Sequence, residues 1–78
     1  MNEYHREILA GSVEQREREV TEYQVNIDNY TRAIAKIGDD VQMQPFAEQL
    51  RGLLESSRYE QRKAQIMLDV IKEQLCDS

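Results

Sequence analysis

Residues 13–37 read VEQREREVTEYQVNIDNYTRAIAKI, and the spacing inside this stretch decides the fold. Val13, Arg16, Val20, Tyr23, Ile27, Tyr30, Ile34 and Ile37 recur at alternating intervals of three and four. All but Arg16 are apolar or aromatic. On a helix such residues share one narrow face, the a and d positions of a heptad, where one helix meets another. The stretch is therefore a long helix that needs a cover.

Upstream, Asn2 is placed to cap the helix and Glu3 to meet the positive end of its dipole. Leu9 continues the seam, whereas Tyr4 and Ile8 fall outside it. Gly11-Ser12 interrupts the pattern, and Ser12 with Gln15 matches a capping box. Two readings stay open here: one helix over about 3–37 that tolerates Gly11, or a break at 11–12 that leaves 2–10 as a separate arm. A helix spanning the whole stretch is roughly 52 Å long at 1.5 Å per residue, so the molecule is elongated.

Downstream, Gly38 ends the helix and Asp39 or Asp40 caps the next one, giving a turn at 38–42. Pro45 suits the first turn of a second helix, which starts between Asp40 and Gln44 and covers about 43–75. Its apolar positions are Met43, Phe46, Ala47, Leu50, Leu53, Leu54, Ala64, Met67, Leu68, Ile71 and Leu75, a face wider than a two-stranded seam requires. Two long helices joined by so short a turn lie antiparallel. With the turn centred near residue 40, Tyr30 faces Leu50, Tyr23 faces Ser57, Val13 faces Met67 and Leu9 faces Ile71. The expected fold is all-α: a single domain over 1–78, an antiparallel, coiled-coil-like two-helix hairpin.

A hairpin has no interior of its own. In the expected frame Leu54, Leu68 and Leu75 are left over as the core of a homodimer, which makes an elongated four-helix bundle. A polar waist interrupts both stripes where Arg16, Ser57, Glu60 and Gln61 meet. Arg16 and Glu60 are expected to form a pair that sets the register, as polar core residues do in coiled coils. Two other readings of the waist are a hydrated groove for a partner residue and a hairpin shifted by a turn, which leaves these groups in water.

Composition narrows the function classes. The 78 residues carry 32% charged side chains and a net charge of −5, against the basic stripe that direct nucleic-acid binding requires. No apolar run reaches the roughly 20 residues of a membrane span, and neither charge nor hydropathy favours a membrane surface. Cys76 is the lone cysteine, consistent with an intracellular, cytoplasmic protein. His5 and Cys76 meet at the open end of the hairpin, too few ligands for a structural zinc site and without the groups that activate a nucleophile. No catalytic residue, metal site or cofactor is expected.

The expectation is a non-enzymatic protein–protein interaction module: a small acidic adaptor or inhibitor that binds itself and a larger protein. The composition is one common among phage and mobile-element accessory proteins. Apolar residues outside the seams mark the partner surface, namely Tyr59, Ile66 and Val70, with Tyr4 and Ile8 contributing. One alternative is nucleic-acid mimicry by the carboxylates of Glu14, Glu17, Glu19 and Glu22, which would block a DNA- or RNA-binding enzyme. Another is a structural subunit or assembly factor of a larger complex.

Overall fold

The computed structural model describes residues 2–77. Its first helix, α1, spans Glu3–Ile37 and its second, α2, spans Gln44–Cys76. They pack side by side as an antiparallel hairpin, a rod of 60 × 13 × 13 Å. The radius of gyration is 17.6 Å, against about 11–12 Å for a compact chain of this length.

The start of α1 follows from Asn2, whose side-chain oxygen accepts from the His5 backbone N–H at 2.7 Å. The helix runs unbroken through Gly11-Ser12. Ser12 does not cap a new helix; its hydroxyl donates to the Ile8 carbonyl at 3.0 Å, a bond made within a continuing helix. Of the two readings, the continuous helix is the one observed.

Gly11 and Gly52 sit inside helices, and a Cβ built on either meets nothing within 4 Å. Glycine here costs backbone entropy with no packing reason for it. Gly11→Ala and Gly52→Ala are each expected to raise the unfolding free energy by about 0.5–1 kcal/mol. Urea unfolding at one fixed protein concentration checks this, and a lower midpoint for either variant contradicts it.

Gly38 ends α1, donating its N–H to the Ile34 carbonyl at 3.1 Å. The connection that follows is longer than the expected 38–42 turn. Asp40 caps a single 3-10 turn over Val41–Met43 by accepting from the Gln42 N–H at 3.0 Å. Gln44 then closes the corner from the far side: its amide donates to the carbonyls of Gly38 at 3.1 Å and Asp40 at 2.9 Å. Pro45 occupies the first turn of α2, where a missing N–H costs little.

This longer connection shifts the expected register. Gln61 reaches the Val20 carbonyl and Gln24, and Lys72 reaches Glu17. Facing residues are thus displaced by about one helical turn, some 3.6 residues, from the register centred on residue 40. The facing pairs are centred near residue 42, on the α2 side of the connection, where the 3-10 turn and Gln44 close the corner.

The seam on α2 also differs from the expected one. Ala47, Leu50, Leu54, Ser57, Gln61, Ala64, Leu68, Ile71 and Leu75 are all buried or half-buried, an unbroken alternation of three and four. Leu54, Leu68 and Leu75, expected to await a second copy, therefore belong to the hairpin's own seam, with Leu68 only 4% exposed. The residues left over are Phe46, Leu53 and Met67, at 47%, 49% and 43% exposure. The wide face of α2 contains two strips that could turn inward, and they differ at the waist. One would press the Glu60 carboxylate between the helices. The other inserts Gln61, whose amide donates to the Val20 carbonyl at 3.1 Å and to Gln24 Oε1 at 2.9 Å. A desolvated carboxylate costs several kcal/mol, while a buried amide with acceptors costs little, so the Gln61 strip faces inward. Small side chains at Ala47, Ser57 and Ala64 let the bulky isoleucines and tyrosines of α1 approach closely.

Candidate interaction surfaces

The heptad frame divides the rod into a seam, two flanks beside it and two outer faces. One flank is polar throughout. It carries Glu17 and Gln24 from α1 with Arg51, Arg58, Gln65 and Lys72 from α2, and is bridged by Lys72 to Glu17 at 3.6 Å and by Gln61 to Gln24. Such exposed contacts contribute under about 1 kcal/mol each and mainly tie the register.

The other flank is apolar along most of α2 and mainly polar along α1, where Ser12, Glu19, Asn26 and Ala33 hold the half-buried heptad positions beside the seam. Phe46, Leu53 and Met67 recur at heptad spacing along α2, the one interruption in that series being Glu60. Arg16, Glu19, Tyr23, Glu60, Lys63 and Met67 line one shallow groove there. Arg16 does not pair with Glu60 as expected. It bonds Glu19 in its own helix at 3.0 Å, and Glu60 bonds Lys63 at 3.3 Å. Both charges stand half-exposed at the rim, and each is paired with an i, i+3 partner of its own helix.

Beyond this flank lies the outer shoulder of α2. Tyr59, Lys63, Ile66 and Val70 recur at intervals of four, three and four and stand on one stripe; all four are exposed. The Lys63 ammonium lies 5.3 Å from the centre of the Tyr59 ring, close enough for a cation–π contact. Of the expected partner-surface residues, Tyr59, Ile66 and Val70 are thus together. Tyr4 and Ile8 are also exposed but stand on the other helix, near the open end of the rod.

The acidic series on α1 is partly neutralised by cations: Glu17 meets Lys72 and Glu19 meets Arg16. Cys76 is exposed in the last turn of α2. Among the described residues no cluster of three or more His, Cys, Asp or Glu is placed to hold a metal ion. No helix among them is long and apolar enough to cross a membrane.

Reading the sequence missed the corner-closing amide of Gln44, and it placed Gln61 in the polar waist without singling it out over Glu60 as the residue that bonds across the seam. Both are glutamines, whose side chains carry no apolar signal, and only the spacing that puts Gln61 between Leu54 and Leu68 marked it. Compared with models of protein families, with curated protein sequences and with solved structures, the chain has no match.

Proposed function

We propose that this chain is a non-enzymatic protein-binding rod, an adaptor or inhibitor that engages a larger protein through the outer shoulder of α2. The observation that carries this reading is the coincidence of Tyr59, Ile66 and Val70 on a single exposed stripe, with Lys63 over the tyrosine ring. Apart from the Lys63–Tyr59 contact these exposed side chains add little to the hairpin, and aromatic residues are enriched among those that dominate the energetics of protein interfaces. Arg58, Arg62 and Lys63 flank Tyr59 and Ile66 with positive charge, while Asp69 and Glu73 stand beside Val70. The partner surface that fits is an apolar pocket with an acidic rim.

The pairing of Glu17 and Glu19 with cations weakens the case for nucleic-acid mimicry, which needs carboxylates free to replace phosphates. Salt separates the two readings. Binding through an apolar stripe persists when salt is raised, whereas binding through carboxylates falls steeply.

The test uses the full chain as bait in its native cell, with bound proteins identified by mass spectrometry. The protein recovered with the wild type is expected to be lost with Ile66→Glu and retained with Glu22→Gln, both variants keeping the helical circular dichroism of the wild type. Retention of that protein by Ile66→Glu overturns the assignment of the shoulder, and its loss in moderate salt favours the mimic.

A further inference from the structure

The apolar flank carries a second surface that the proposed partner shoulder does not use. We infer that two copies of the chain pair through this flank, Phe46, Leu53 and Met67 of α2 meeting the Tyr23 and Tyr30 side of α1 from the second copy, to form a four-helix bundle.

Surface area is the first argument. The chain exposes 5967 Å². Folded monomers of 9.2 kDa expose about 4,900 Å² by the usual scaling of surface with mass. The excess is about 1,000 Å², close to the roughly 800 Å² that each partner buries in a standard interface. It arises because a two-helix rod covers each helix on one side only, and among the described residues no large side chain is fully enclosed. A second rod laid along the first removes area of that size without any change of fold.

Charge is the second argument, and it selects the face. Two chains that each carry −5 repel one another. On the apolar flank the charges at the waist are already balanced, Arg16 by Glu19 and Glu60 by Lys63. The outer side of α1 instead presents Glu14, Arg18, Glu22, Asp28, Arg32 and Lys36, ionic groups that a contact there would have to desolvate, and the opposite flank is polar along its length. The apolar flank is thus where two like-charged copies can approach at the smallest electrostatic cost.

Periodicity is the third. Phe46, Leu53 and Met67 hold the seven-residue repeat of the seam itself, so what they accept is a helix running alongside for several turns, not a compact ligand. A second copy presents two such helices of matching length.

Sedimentation equilibrium of the full chain at micromolar concentrations is expected to give twice the 9.2 kDa chain mass. Leu53→Glu combined with Met67→Glu is expected to return the mass of one chain with helical content retained, because both positions are about half-exposed in the hairpin. Should that variant unfold, hydroxyl-radical footprinting of the wild type decides: Phe46 and Met67 become protected as concentration rises, while Tyr59 on the outer shoulder does not. A wild type that sediments as a single chain throughout, a double variant that stays dimeric, or protection that spares Phe46 and Met67 overturns the inference. The Ile66→Glu variant remains dimeric, so loss of the larger partner and loss of self-pairing are separate results.

Discussion

Replacing Leu68 with alanine is expected to lower the unfolding free energy by roughly 2–4 kcal/mol, the range for removing a buried leucine whose surroundings relax only in part. Leu68 is almost fully covered although it lies in the last third of α2. The loss is severe in proportion, since a domain of this size seldom holds more than about 3–5 kcal/mol from its core. The melting temperature is expected to fall by roughly 8–32 °C, at about 4–8 °C per kcal/mol for a chain of this length. Ile66→Ala, two residues away on the exposed shoulder, is expected to change stability by no more than about 0.5 kcal/mol. Thermal unfolding of both variants at the same protein concentration checks the pair. Equal losses would mean that α2 is rotated from the orientation described, because only the angular position of the two side chains separates them.

The second large effect lies at the corner. Gly38 has φ 54° and ψ −123°, a combination that L side chains avoid. A Cβ added there meets only the Ala35 carbonyl oxygen at 3.8 Å, an ordinary contact, so any penalty is one of backbone conformation and not of crowding. Gly38→Ala is expected to cost about 1–3 kcal/mol. A chemically synthesised chain with D-alanine at position 38 is expected to be as stable as the wild type or more so. The mirror image of this backbone conformation lies in the extended region that L residues favour, and a D residue also restricts the unfolded chain. Equal destabilisation by L- and D-alanine in urea melts would refute the conformational origin. The same Gly→Ala change thus has opposite signs at Gly38 and at Gly11.

Much of the hairpin was legible because it is written in local signals. The repeat from Val13 to Ile37 specifies a helix by its period, and Asn2, Gly38, Asp40 and Pro45 mark ends through hydrogen bonds and dihedral limits that involve a few neighbours. Even the ambiguity at Gly11-Ser12 is local, and it resolves in favour of the helix because residues on both sides are satisfied in the same seam. Tyr59, Ile66 and Val70 were legible as a shared face for the same reason.

The seam on α2 was not legible in that way. Its apolar face is broad enough for two strips, and helical period alone does not rank the one through Leu53 and Met67 against the one through Leu54 and Leu68. Ranking them needs the cost of inserting Glu60 or Gln61 opposite a particular stretch of α1, which exists only once the two helices meet. The register depends in turn on a 3-10 turn held by Gln44, a residue whose partners lie across the corner. Arg16 and Glu60 were paired on a register that this turn displaces.

By itself the sequence determined two long helices, their ends and their antiparallel pairing, because the period, the caps and the short connection are properties of neighbouring residues. Only the tertiary structure decided which side of α2 is covered and which is left apolar in solvent. That choice rests on the unequal cost of burying a carboxylate and an amide between two helices, and it moves the unpartnered surface from Leu54, Leu68 and Leu75 to Phe46, Leu53 and Met67.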